Sequence, residues 1–302
     1  MEVTRRWRPG SPVDVVATLS VHGRGRYDPA QRVVAGAVWR TCRTPDGSAT
    51  LHVKSASDGA VEATAWGGGA AWLLDRVPAW LGEGDQPNGF RPLHPIVEYA
   101  AKRSSGFRIG RTELIMEALV PAILEQKVAG LEASRSWQAL MRRHGESAPG
   151  PAPAGLRVLP EPDVLRHLPS WEWHRVGVGP DRSKAIVRAA QLTRSLERLA
   201  AKPAAEAMAG LQSVPGIGRW TAAEVIQRSH GDPDAVSVGD YNLPGVVAYA
   251  LAGERTADDA RMLELLEPYR GHRHRVCLLL ARYGPRPPRR GPRMPLRDYR
   301  AM

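Results

Sequence analysis

The sequence predicts an α+β protein, with a small N-terminal antiparallel β-rich domain followed by a large all-α domain. Three observations carry that reading. Strand-like runs and Asp-Gly turns are confined to residues 1–88; apolar residues recur at helical spacing over 89–284; and a polar, Gly- and Pro-containing stretch, EGDQPNGFRP, joins the two. A length of 302 residues suits two domains, and 43% hydrophobic residues suffice to fill their cores.

In chain order, VDVVATLSV (13–21) alternates as a half-buried strand would. HGRGRYDP follows as a basic loop, in which His22, Arg24 and Arg26 either sit in solvent or touch phosphate. VVAGAVWRTCRT, ATLHVKS and AVEATAW are three strands separated by Asp46-Gly47 and Asp58-Gly59, the signature of an antiparallel meander. AAWLLDRVPAWLG then changes to helical spacing and closes on Gly82. Beyond the linker, PLHPIVEYAAKR is helical, and residues 113–145 form a pattern long enough to break into two helices. ESAPGPAPAG (146–155) reads as a flexible surface loop. Short helices at PDVLRHL and SWEWHRVG precede an amphipathic helix over SKAIVRAAQLTRSLERLA and another over PAAEAMAGLQSV. Three more follow at NLPGVVAYALAG, ADDARMLELLEPYRG and HRHRVCLLLARYG. Residues 285–302 are a basic, Pro/Arg-rich tail, either a phosphate-binding arm or a solubilising terminus.

Charge narrows the function classes. Lys+Arg is 42 against 31 for Asp+Glu, a net +11, which points to a polyanionic partner. Two cysteines, Cys42 and Cys277, exclude a four-Cys zinc site or iron–sulfur cluster within this chain and fit a reducing compartment. No run approaches 18 apolar residues and no signal-peptide h-region is visible, so a cytoplasmic, nucleoid-associated protein without membrane contact is expected.

The most informative stretch is LQSVPGIGRWTAAEVIQRSHGDPDAVSVGD, Leu211 to Asp240. Gly216 and Gly218 permit a sharp turn and close approach, and the helix starting near Arg219 presents free backbone N–H groups there. Such a turn is either an ordinary helix–helix corner or a sequence-independent phosphate site. Asp240 stands just before an apolar helix, 22 residues after Gly218, and is either that helix's cap or a catalytic carboxylate.

Taken together, LxxVPGIGRWTA, the HGDPDAVSVGD loop and Asp240 resemble the helix-hairpin-helix DNA glycosylase superfamily. Within it the chain looks most like the bacterial 3-methyladenine DNA glycosylase II, or alkylpurine, branch. The likeness is strong over about 90–285 and extends to LVPAILEQKVAGLEASRSWQALMRRHG, PDRSKAIVRAA and EPYRGHRHRVCLLLARYG. The resemblance implies a helix-hairpin-helix glycosylase domain that acts on double-stranded DNA containing a damaged base, as a monomer. By matching positions, Asp240 is the catalytic acid, and Trp220, Tyr269, Tyr241 and Glu224 border the base pocket. Gln126, Lys127, Pro215, Gly216, Ile217, Gly218, Arg219 and Thr221 face DNA. The backbone carbonyls of Gln212, Val214 and Ile217 would hold a structural monovalent cation, Na or K. No cofactor is required and no iron–sulfur cluster is implied.

Bifunctional members carry a Lys two residues after the hairpin's second Gly; here that position is Trp220, which offers no amine for a Schiff base. A monofunctional enzyme hydrolysing the N-glycosidic bond of 3-methyladenine- or 7-methylguanine-type bases follows. Two residues depart from the pattern. Glu224 stands where the bacterial archetype has Tyr, and Lys127 where an apolar wedge is common. Both leave open an oxidised or deaminated lesion, and the hairpin alone also admits a non-catalytic damage-scanning protein.

Overall fold

The computed structural model describes residues 2–288; the tail beyond Pro288 lies outside the described residues. The N-terminal part is a five-stranded antiparallel sheet in the order β1-β5-β4-β3-β2, built from β1 (Glu2–Trp7), β2 (Gln31–Val34), β3 (Ala37–Thr44), β4 (Gly47–Ser55) and β5 (Val61–Gly67). Helix α2 (Ala70–Trp80) lies on one face of the sheet, and Leu51, Val53, Leu73, Val77 and Trp80 fill the space between. The meander turns fall where expected, with Gly47 and Gly59 at φ 116 and 79.

Two expectations fail in this part. VDVVATLSV is not a strand; it holds helix α1 (Val15–Ser20). Asp14 caps it, its carboxylate accepting from Ala17 N–H at 2.8 Å, and Val15, Thr18 and Leu19 are buried at helical spacing. VVAGAVWRTCRT is two strands, not one. Ala35 and Gly36, at φ 49 and 77, make a two-residue turn that pairs Val34 with Ala37. Positive φ at both central residues is the type I′ geometry that matches strand twist.

The remainder is mostly helical. Helices α3 (Pro95–Arg103), α4 (Ile115–Leu124) and α5 (Gly130–His144) lead to a two-stranded ribbon of β6 (Glu146–Ser147) and β7 (Arg157–Val158). Then come α6 (Pro162–His167), α7 (Ser170–Arg175), α8 (Pro180–Gln191), α9 (Thr193–Glu197), α10 (Ala204–Gln212), α11 (Arg219–Ser229), α12 (Leu243–Ala252), α13 (Asp259–Leu266) and α14 (Arg273–Tyr283). All ten residues of α4 are buried, and α5, α8, α9 and α11 pack around it. A second core joins α3 with α12, α13 and α14.

The 146–155 segment, expected as a flexible surface loop, is fastened to the N-terminal sheet. The Arg43 guanidinium pairs with Glu146, Arg32 Nη1 donates to the Ala154 carbonyl at 2.9 Å, and just beyond the segment Thr41 Oγ1 donates to the Arg157 carbonyl at 2.5 Å. The amphipathic run from Ser183 breaks at Leu192 into α8 and α9, because Thr193 Oγ1 donates to the Ala190 carbonyl at 2.8 Å and competes for helix acceptors. The linker is anchored too: Asp85 accepts from Ile109 N–H at 2.9 Å and forms a buried ion pair with Arg275.

Candidate active site

The hairpin is made by α10, the turn Ser213–Gly218 and α11. Gly216 has φ 97, and a Cβ there would stand 2.9 Å from Ala185 Cβ, so both the backbone angle and the contact require glycine. Gly218 is extended and precedes the first turn of α11. Pro215, Gly216, Gly218 and Arg219 are exposed, whereas Ile217 and Thr221 are buried. The exposed residues leave the N-terminal N–H groups of α11 next to solvent, the arrangement that receives a phosphate.

Gln126 grips this turn from inside. Its side-chain amide donates to Gly216 carbonyl at 2.9 Å and to Thr221 Oγ1 at 2.8 Å. The residue therefore shapes the hairpin. Its neighbour Lys127 is exposed and holds φ 53 in the break between α4 and α5, a strained setting for a non-glycine residue. Gln212 ends α10, so its carbonyl is among those a helix terminus leaves without an intrahelical partner. Val214 carbonyl accepts from Ile217 N–H at 3.0 Å and keeps a second lone pair. Such neutral oxygens are the type that replaces a monovalent ion's water. Among the described residues no group of three or more His, Cys, Asp or Glu is placed to hold a metal ion.

Asp240 is half-buried and fully engaged by donors. Its Oδ1 accepts from the backbone N–H of Asn242 at 2.8 Å and of Leu243 at 2.9 Å, at the start of α12. Its Oδ2 accepts from Trp220 Nε1 at 3.1 Å. The same face of α11 continues the attachment. Glu224 Oε1 accepts from Ser237 Oγ at 2.6 Å, and Gln227 Nε2 donates to Ala235 carbonyl and Ser237 Oγ, each at 2.8 Å. Residues 235–240 are thus laid along one side of α11, and the carboxylate's position is fixed by the helix that follows the hairpin.

Glu224 is also paired with Arg228 at 2.9 Å. Burial pushes its carboxyl upward, but Arg228, Ser237 and Arg24 together outweigh that and hold it below the usual carboxylate range. It borders a cavity of about 330 Å³. Its lining includes Gly23, Arg24 and Gly25 from the N-terminal loop, Glu125 at the end of α4, Ser134 and Trp137 of α5, and Glu224 and Arg228 of α11. Arg24 pairs with Glu125 at 2.8 Å, with its side chain 8% exposed. Asp28 fixes the wall, accepting from Arg24 N–H at 2.7 Å and from Trp137 Nε1 at 2.8 Å.

The remaining sequence-derived residues are dispersed. Tyr241 is 88% exposed beside Asp240 and lines no wall of the cavity. Tyr269 is 3% exposed in the second core, its hydroxyl accepting from the N–H of Leu93 and His94 and hydrogen-bonded to His94 Nδ1 at 2.6 Å. Trp220 stands one turn of α11 from Glu224, Asp240 lies in the loop ahead of α12, and neither is in the cavity lining. The sequence reading assigns no role to Glu125 or Arg228, and names Arg24 only as a loop residue in solvent or touching phosphate. The spacing of Glu224 and Arg228, four residues apart on a helix, was a usable signal. Arg24 gave none, since a basic Gly-containing loop does not announce that helices α5 and α11 will roof it. His22 likewise is 3% exposed, so the loop is not solvated at either residue.

Solved structures with the same architecture decide the fold. The 3-methyladenine DNA-glycosylase from Archaeoglobus fulgidus superposes with a TM-score of 0.74 at 18% identity, covering 92% of this chain and 97% of that one. The fold is that of a DNA glycosylase. The Clostridium acetobutylicum 8-oxoguanine glycosylase/lyase gives a TM-score of 0.71 at 12% identity, covering 94% of this chain and 98% of that one. The 3-methyladenine DNA glycosylase of Schizosaccharomyces pombe, in complex with abasic DNA, gives 0.52 at 17% identity over 62% of this chain and 90% of its own. No family model matches the chain, and no curated protein matches it. The glycosylase fold is therefore shared with proteins that differ in the base they remove.

Proposed function

We propose that the protein is a monofunctional DNA glycosylase, hydrolysing the N-glycosidic bond of a modified purine flipped out of duplex DNA. The observation that carries the proposal is Asp240, held between the start of α12 and the indole of Trp220 directly after an exposed hairpin turn. As the base departs, positive charge spreads over the sugar carbon and ring oxygen, and a carboxylate opposite stabilises it and orients water. The hydrogen bonds to Asp240 come from the Trp220 indole and two backbone N–H groups, so both oxygens act as acceptors held in place by the fold. The hairpin would hold a backbone phosphate through the N-terminus of α11, aided by a monovalent cation on the Gln212, Val214 and Ile217 carbonyls. Trp220 in the position of a nucleophilic amine makes water the final nucleophile.

The sequence resemblance names alkylated purines as the base. The charged cavity beside Glu224 favours a second reading, an oxidised purine. Neighbours in fold have been solved with DNA, the Clostridium acetobutylicum 8-oxoguanine glycosylase/lyase with dsDNA and the Schizosaccharomyces pombe 3-methyladenine DNA glycosylase with abasic DNA, which supports DNA as partner. No helix among the described residues is long and apolar enough to cross a membrane; we place the protein at the nucleoid, acting as a monomer. Chromatography of bases freed from methylated, deaminated and oxidised duplexes tests the reaction. Release of no base from any of them would leave only a DNA-binding role. Borohydride should trap no covalent enzyme–DNA adduct, and a trapped adduct would overturn the monofunctional assignment.

A further inference from the structure

The cavity beside Glu224 has a composition that a site for cationic bases does not need. A cationic N-alkylpurine is held by the faces of electron-rich rings. Here Trp137 is the one aromatic residue in the lining, and its N–H is committed to Asp28. The charged lining consists of two guanidiniums and two carboxylates, Arg24 with Glu125 and Arg228 with Glu224, with the Ser134 hydroxyl as a further polar group. Each carboxylate already has its countercharge, so the set offers an incoming cation no net negative charge. It offers instead fixed acceptors and fixed donors from separate elements: Glu125 from the end of α4, Glu224 from α11, and Arg24 from the N-terminal loop. Carboxylates accept only, and guanidiniums donate only. A ligand that satisfies both must present N–H groups and carbonyl oxygens together.

The cavity also has the right place and size. Its lining residue Glu224 lies one turn of α11 from Trp220 and is joined through Ser237 to the loop that ends in Asp240. A volume of about 330 Å³ is within the range that takes a small planar ligand.

We infer that this cavity seats the flipped base and that the Arg24–Glu125 and Glu224–Arg228 pairs select a neutral oxopurine bearing N–H donors on two edges, against a permanently cationic N-alkylpurine. The inference rests on the glycosylase reading above. It assigns specificity to Arg24 and Glu125 as well as Glu224. Leaving these groups unmatched by a ligand lacking the N–H or carbonyl is the kind of mismatch that yields large discrimination.

Two duplexes isolate the choice. 8-Oxoguanine and 7-methylguanine share the guanine pairing edge; the first carries N7–H and a C8 carbonyl and is neutral, the second carries N7–CH₃ and is cationic. The measurement is single-turnover base release by the full chain, expressed as enhancement over the spontaneous rate of each duplex. The expected result is an enhancement at least tenfold greater for 8-oxoguanine. Two variants then give the ratio a direction. Arg24→Gln leaves Glu125 uncompensated and should shift the ratio towards 7-methylguanine. Glu125→Gln leaves Arg24 uncompensated and should shift it the other way. A merely structural role would move both in the same direction and would overturn the inference. A wild-type preference for 7-methylguanine would overturn it too, while leaving the glycosylase reading intact. Release from neither duplex, nor from methylated or deaminated DNA, would remove that reading and this inference with it.

Discussion

The indole N–H of Trp220 donates to Asp240 Oδ2 at 3.1 Å, tying the second residue of α11 to the carboxylate that stands ahead of α12. The two residues are 20 apart in sequence, and the loop between them is fastened along α11 by Glu224 and Gln227. Helix α11 therefore joins two features: its N-terminus opens at the exposed turn, and its flank positions the Asp240 carboxylate. A displacement of the hairpin on DNA would be passed to Asp240 through one rigid element.

This relationship separates chemistry from positioning. Asp240→Asn should remove base release by at least a hundredfold, the scale on which single electrostatic groups act in active sites, about 10²–10³. DNA affinity should stay within twofold, read by fluorescence anisotropy on the same duplex. Trp220→Phe keeps a ring and loses one hydrogen bond to a charged group, worth about 1.5–3 kcal/mol. It should lower kcat by roughly ten- to a hundredfold with little change in KM, as one decade corresponds to about 1.4 kcal/mol. A Phe variant that altered KM alone would assign Trp220 to base stacking instead.

The Gln126 grip predicts a defect that is shared between folding and DNA binding. Gln126→Ala removes the donor to Gly216 carbonyl and Thr221 Oγ1 and should cost about 1–2 kcal/mol, measured by urea unfolding. Gly216→Ala should cost more, about 1–3 kcal/mol, since the residue sits at φ 97 and the new Cβ meets Ala185. If the hairpin holds backbone phosphate as proposed, both should weaken binding to undamaged and damaged duplexes alike, since phosphate contacts carry no base information.

Arg219 gives a cleaner reading of the phosphate contact. It is exposed at the first position of α11 and makes no demand on the core. Arg219→Ala should leave the melting temperature unchanged and reduce the slope of log affinity against log salt by about 1. An unchanged slope would show that the duplex lies elsewhere.

Much of this architecture was legible in the sequence, and the failures have a common physical origin. The Asp46-Gly47 and Asp58-Gly59 turns, the break after α4 and the hairpin are local features, set by backbone angles and apolar spacing within a few residues. VDVVATLSV was misread because both a strand and a short helix can bury part of such a run, and the deciding group, Asp14, lies outside the apolar pattern. The attachment of the 146–155 segment is not visible in its own residues because its anchors, Arg32 and Arg43, are more than a hundred residues earlier. The site divides in the same way. The Trp220-to-Asp240 stretch is local and readable. The charged cavity is assembled from the 23–25 loop, α4, α5 and α11, and no single stretch carries it.

The joint between sheet and helices supplies a pH dependence. Glu117 lies inside α4 with 8% exposure, and its Oε1 accepts from Arg43 backbone N–H at 2.7 Å. Burial raises its carboxyl from 4.5 to about 7; Arg40 and Arg43 oppose the rise, and Glu197 adds to it. The folded state therefore keeps this proton through a range in which the unfolded chain has lost it. Linkage then makes the group's contribution to stability greatest below about pH 4.5, falling as pH rises and level above about 7. Glu117→Gln stays neutral and can still accept from Arg43 N–H, so it should escape the loss. The stability of the variant relative to wild type should grow from pH 5 to pH 8 by up to about 3 kcal/mol, the worth of a shift of this size. Guanidinium unfolding at four pH values across that range measures it. A difference that stays constant with pH would mean that Glu117 is ionised throughout, with Arg40 and Arg43 outweighing its burial.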